Sequence, residues 1–183
     1  MATSAVRTEQ LYIYICSKMA NDPSFGSVKL NKAFYYIDNI SYLRRNKAIS
    51  TFSYVRQING PVPAELMNVQ KPLISSGKVE IQSKEIITGT IKKKPVALVQ
   101  TDVSVFLPEE VQLIDEVIEM LRDFSGKEIS DYSHEALAWQ NAKTGEPLPL
   151  FTFLLTEADI SESDYSRADK FIQRYLKKHS VKD

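Results

Sequence analysis

Asn59-Gly60-Pro61-Val62-Pro63 constrains this chain more than any other stretch. It follows Ile49–Ile58, a run rich in β-branched and aromatic residues that reads as extended. Gly60 is free to take a positive φ, although Pro61 biases it towards extended geometry. Pro61 and Pro63 each remove a backbone donor. A helix or a central strand does not run on through such a segment, so the sequence predicts a turn here.

Upstream of that punctuation the pattern is helical. Leu11, Ile15 and Met19 fall four apart, with Tyr12 and Cys16 beside them, and predict a helix over Ala5–Ala20. Asn21-Asp22-Pro23 ends it, because Pro23 disfavours the α conformation at Asp22. A second helix starts near Ser27 and carries Val28, Leu30, Ala33, Phe34, Ile37, Ile40 and Leu43. Its end is marked by Arg44, Arg45 and Lys47, cations suited to the negative end of the helix dipole. Downstream, a third helix runs from Pro63 or Ala64 to about Ile74. A hairpin follows over about 79–101. Its outgoing arm passes through Ile86-Ile87-Thr88, Lys92-Lys93-Lys94-Pro95 form its polar connection, and Val96–Val99 return. Pro108-Glu109-Glu110 opens a helix with the apolar face Val111, Ile114, Val117, Ile118 and Leu121. Ser125 and Glu128 have capping-box spacing for a short helix through Tyr132. A further turn from Ser133 ends near Trp139–Ala142, Leu150–Leu155 is extended, and a last helix covers about 161–179. The expected class is α+β: one mainly helical domain spanning 1–183 with a small antiparallel β element.

Composition narrows the function. Lys plus Arg is 23 and Asp plus Glu is 23, a net charge of zero. Sequence-independent nucleic-acid binding needs many phosphate-neutralising cations, so nucleic acid is not the expected ligand. Zero net charge also gives little mutual repulsion, which leaves homodimers open. The single cysteine, Cys16, supports neither an internal disulfide nor a Cys-rich zinc site. No apolar run approaches the roughly 20 residues of a membrane span, and no secretory segment stands at the N-terminus. A cytoplasmic protein without membrane association is expected. The chain contains no Walker A, GxGxxG or GxSxG motif, so no cofactor is expected. Nor is there metal-ligand spacing.

Two histidines are left to weigh. His179 stands beside Lys177 and Lys178 at a helix end, where it caps the dipole. His134 lies in Asp131-Tyr132-Ser133-His134-Glu135, where hydroxyl, carboxylate and imidazole occur together. A hydrolase-like enzyme using His134 with Asp131 or Glu135 is the alternative function. Adjacent Ser133 and His134 point different ways on any regular element, so no local triad forms and no catalytic residue is assigned. The favoured role of His134 is to satisfy buried backbone groups and pack on Trp139. Binding is favoured over catalysis, with Tyr35, Tyr36, Tyr54 and Asn59 as candidate partner contacts. Tyr35 lies off the main stripe of its helix, as interface aromatics do. The expected interface is of standard size, about 1,200–2,000 Å², with an aromatic and apolar centre that salt weakens little.

Three stretches in order carry a resemblance. Lys29-Leu30-Asn31-Lys32-Ala33-Phe34-Tyr35-Tyr36, Asn59-Gly60-Pro61-Val62-Pro63, and Ile129-Ser130-Asp131-Tyr132-Ser133-His134 with Trp139 together resemble the Panacea (SocA-like) antitoxin domain. Order and spacing agree over about 10–142. One departure is Glu135-Ala136-Leu137-Ala138, where the family often has a proline. The resemblance implies a mainly helical fold with a small antiparallel β element and no chemistry of its own. It also implies an antitoxin that binds and neutralises a toxin protein encoded nearby. A SocA-type relative acts as a proteolytic adaptor to an ATP-dependent protease, and the resemblance extends that role to this chain as a variant. The signature residues Lys29, Leu30, Lys32, Tyr36, Gly60, Pro61, Val62, Ser133, His134 and Trp139 are expected to be mainly scaffold. Lys29 and Lys32 occupy the first turns of a helix, which is unfavourable for cations. Each calls for compensation, by an internal carboxylate or by a partner's acidic group.

Overall fold

Four-residue apolar spacing becomes helix where it was expected. In the computed structural model, which describes residues 2–85, 91–150 and 152, α1 spans Ser4–Lys18 and α2 spans Ser27–Arg45. Leu11, Ile13, Ile15 and Cys16 of α1 are fully buried. So is nearly all of α2 from Lys32 to Asn39. A helix buried on every side is the centre of its domain rather than a surface element. The other elements are β1 (Tyr54–Gln57), β2 (Gly60–Pro63), α3 (Leu66–Ser75), β3 (Val79–Glu85), β4 (Ile91–Ala97), α4 (Pro108–Arg122), α5 (Gly126–Ser133) and α6 (Leu137–Asn141), of which β2, β4, α4 and α5 pack directly on α2 together with α1. Helices dominate, and the β structure is two antiparallel pairs, β1–β2 and β3–β4, so the class is α+β and mainly helical.

The expected turn at Asn59–Pro63 is corrected. Gly60–Pro63 is a strand that pairs with β1 in the register Tyr54↔Pro63 to Gln57↔Gly60, and the turn is Ile58-Asn59. Gly60 has φ +92°, which lets the chain leave the turn and enter the strand. Two prolines are tolerated because β2 is bonded on one side only. β1 is covered on its other side by 145–148, through Arg56 N–H to Glu146 C=O and Leu148 N–H to Tyr54 C=O.

The second hairpin is also shifted. Lys92, Lys93 and Lys94 lie inside β4, opposite Lys84, Ser83 and Gln82, rather than in its connection. The period of two puts Lys92 and Lys94 on one face. Their ammonium groups donate to the carbonyls of Pro23 and Ala20, at 2.6 Å each, and so close the α1–α2 loop. Ile86-Ile87-Thr88, most of the segment 150–155 and the expected helix at 161–179 with His179 lie outside the described residues.

The helix starts at Pro108 and Ser125 form as read. Ser125 and Glu128 make a reciprocal capping box. The Glu110 carboxylate takes the Leu107 N–H at 2.9 Å and is gripped by Arg7 and Arg45 at 2.8 and 2.7 Å. Burial would raise the Glu110 pKa, but these hydrogen bonds outweigh it and hold the carboxyl below the usual range. Among the described residues no helix is long and apolar enough to cross a membrane.

Candidate functional site

The first half of α2 passes beneath the β1–β2 hairpin, with α5 and α6 beside it, and this brings all three signature stretches together. Lys32 is 1% exposed. Its ammonium donates to the carbonyl of Asn59 at 2.7 Å and to that of Pro61 at 3.2 Å. Burial without a carboxylate pushes its pKa down to about 7. Ser130 Oγ donates to the same Asn59 carbonyl at 2.7 Å, so α2 and α5 both anchor the hairpin through one oxygen. Between them lies Gly60. A Cβ added there would fall 2.1 Å from Lys32 Nζ and 2.2 Å from Ser133 Oγ. The position excludes a side chain by space as well as by φ.

Lys29 is solved differently. Its fully buried ammonium bonds Asp22 at 2.6 Å and Ser24 Oγ at 2.7 Å. The compensation expected for Lys29 is therefore an internal carboxylate, whereas Lys32 uses backbone carbonyls, an arrangement outside both alternatives drawn from sequence.

Trp139 and His134 tie α5 and α6 to the hairpin. The indole Nε1 donates to the Gln57 carbonyl at 3.0 Å. The His134 ring stacks on the indole at 3.8 Å between centroids and 14° between planes. The Arg56 guanidinium lies 4.3 Å from the indole ring centre. Burial, then the charge of Lys32, lower the His134 pKa. Its Nε2 is buried without a hydrogen-bond partner among the described residues, while the ring hydrogen-bonds the Ile58 backbone, as expected of it. No described carboxylate hydrogen-bonds the ring. Ser133 Oγ is spent on the Ser130 carbonyl at 2.7 Å, and Asp131 pairs with Lys127. The nucleophile–base contact that a hydrolytic triad requires is not formed.

The aromatic contacts expected on the surface are corrected. Tyr35, Tyr36 and Tyr54 are 2%, 1% and 2% exposed. Tyr35 meets Tyr36 and Tyr54 edge-on at 5.5 and 5.3 Å, and Tyr36 lies 6.4 Å from Tyr132. Tyr35 and Tyr36 are core because α2 is enclosed on all sides, so lying off the main stripe does not place a residue at the surface, and Tyr54 of β1 is packed against Tyr35. Leu148 is likewise buried. Asn59 is exposed at the hairpin tip, beside Ile58. Leu30 is buried, Val62 is half-buried and Pro61 is buried.

Sequence reasoning missed Asp38. Its buried carboxylate accepts from Ile49 N–H and Ser50 N–H at 2.9 Å, from Tyr54 Oη at 2.6 Å, and from Ser50 Oγ. Burial raises its pKa, against the pull of those four bonds. The signal was available: Asp38 falls four residues after Phe34 and eight after Leu30, on the apolar stripe. A carboxylate there must be paid for by local donors. Arg56 was also missed, and Ser130, though inside a signature stretch, was given no role of its own, because their partners are a ring and a carbonyl distant along the chain.

Taken together, most of the signature residues are buried in the scaffold, while Asn59 at the hairpin tip and Asp131 and Tyr132 on α5 are exposed. Residues 30–140 match the family model described as Antitoxin SocA-like, Panacea domain. No similar sequence was found among curated proteins and no similar fold among solved structures.

Proposed function

Because this chain belongs to the SocA-like antitoxin family defined by the Panacea domain, we propose that it neutralises a toxin protein by direct contact in the cytoplasm. The family match over residues 30–140 carries this reading. The geometry supports it in one respect: the groups with catalytic potential, Ser133, His134 and Asp131, are each engaged in packing or in bonds to one another's neighbours. A binding protein holds its scaffold in this way and leaves recognition to exposed residues.

The test uses the reading frame adjacent to this chain's own gene. Expressed alone it should arrest growth, and co-expressed with this chain it should not; the two purified proteins should co-elute. Growth arrest that persists on co-expression would sink the reading. Repeating the assay in a host lacking its ATP-dependent proteases separates contact from adaptor action. Suppression that survives there is neutralisation by contact; suppression that is lost assigns the adaptor role.

A further inference from the structure

Two clefts open side by side around the first turn of α2, and Ser27 and Val28 line both. The larger, about 520 Å³, lies between that turn, β4 and the start of α5. Its walls bring Val28 and Ile91 together with Lys92, Lys93 and Lys127, and among the described residues no Asp or Glu lines it. The smaller, about 310 Å³, is walled by Val28, Asn31 and the hairpin tip.

Three features suit this surface to a partner. Ile91 and Ile58 are 63% and 76% exposed, one at each cleft. Asn31 Oδ1 is shut off from solvent with no hydrogen-bond partner among the described residues, an acceptor waiting for a donor. The Lys93 ammonium makes no ion pair or hydrogen bond among the described residues. Among the described residues Lys127 pairs only with Asp131, one turn along the same exposed helix face, where water and salt screen the pair. The N-terminus of α2, capped by Gly26 without a side-chain bond, adds partial positive charge.

We infer that this double cleft is the toxin-docking surface, and that it takes an acidic segment of the toxin carrying an apolar side chain. The inference rests on the antitoxin reading above. Exposed isoleucines supply the apolar contact, and Lys92, Lys93 and Lys127 supply a positive potential that selects a negative partner. A chain of zero net charge gathers cations here while balancing them elsewhere. Three lysines rimming an apolar floor fit a protein segment better than a polyanion backbone, which has no use for Ile58 and Ile91.

The experiment measures the affinity of the full chain for the purified product of the adjacent reading frame. Lys93→Glu with Lys127→Glu should weaken binding about tenfold, the scale of two reversed exposed charges. Ile58→Asp should weaken it by a similar factor. Lys47→Glu, at the far end of α2, should change it less than about twofold. The unmodified pair should also lose affinity as salt rises from about 0.01 M to 1 M, where the Debye length shrinks from about 30 Å to 3 Å. All four positions are exposed, and melting curves should match the parent. Parent binding with unchanged affinity in the groove variants, or displacement of the toxin by nucleic acid, would overturn the docking surface alone. A parent chain that fails to bind at low salt would sink the antitoxin reading, and the docking surface with it.

Discussion

At the scale of single residues, the site turns on Gly60 and Lys32. Gly60→Ala forces a Cβ into a left-handed position, at about 1–2 kcal/mol. The same methyl displaces Lys32 Nζ and Ser133 Oγ, and an ammonium pushed off its carbonyls inside the core costs about 1–3 kcal/mol more. A loss of about 3 kcal/mol in urea unfolding is expected; a change under 1 kcal/mol would mean that the hairpin shifts freely. Lys32 gives a pH signature of its own. Its folded pKa, about 7, lies below the ordinary lysine value of about 10.4. Above pH 7 the unfolded chain therefore holds a proton that the folded chain has lost, so stability rises with pH. The gain should be about 1 kcal/mol per pH unit between roughly pH 7 and 9. Urea midpoints taken across that window check it, and Lys32→Met should flatten the slope. A parent protein with flat stability there would place the Lys32 pKa near its ordinary value.

At the scale of elements, buried polar side chains do the joining. Asp22 and Lys29 lock the α1–α2 loop to α2, Asp38 holds residues 49–50 and Tyr54, and Trp139 ties α6 to β1. Glu110 is the clearest case, because it draws Arg7 of α1 and Arg45 of α2 onto the start of α4. Glu110→Gln leaves two guanidinium groups facing a neutral amide, each partly open to water. A loss of about 2–3 kcal/mol is expected, below the 3–5 kcal/mol of a fully buried broken pair. Since the folded Glu110 pKa is depressed, its stabilisation is present above the ordinary carboxylate range and lost as pH falls through it. The stability gap between parent and variant should therefore close as pH falls, and the variant should show a shallower acid limb in circular dichroism.

At the scale of the whole molecule, the family match and the folding unit have different borders. The match begins at residue 30, yet α1 supplies Leu11, Tyr12, Ile13, Ile15 and Cys16 at 0% exposure to the same core as α2 and α4. Deleting residues 1–20 should abolish cooperative unfolding, because burying each of those side chains contributes about 1.5–3 kcal/mol. A sharp calorimetric transition in the truncated chain would show instead that α1 is an accessory helix.

How much of this was legible beforehand follows from the range of each force. Helix periods, capping pairs and the stop at Asp22-Pro23 are written within a few residues, and α1, α2, α4 and α5 form where those local signals stand. Of the signature residues, Lys32, Gly60, Ser133, His134 and Trp139 meet at the same hairpin, whereas Lys29 locks the α1–α2 loop instead. Whether Asn59–Pro63 is a turn or a strand was not local: Pro61 and Pro63 forbid a second bonded neighbour, and only the packing of α2 against β2 shows that none is needed. The same holds for Tyr35, Tyr36 and Tyr54. A single helix's stripe predicts which side meets a core. Enclosure by α4, β2 and α5 at once is a property of the assembled chain, and it turned three expected contact residues into core while leaving Ile58, Ile91 and the lysines of β4 outside.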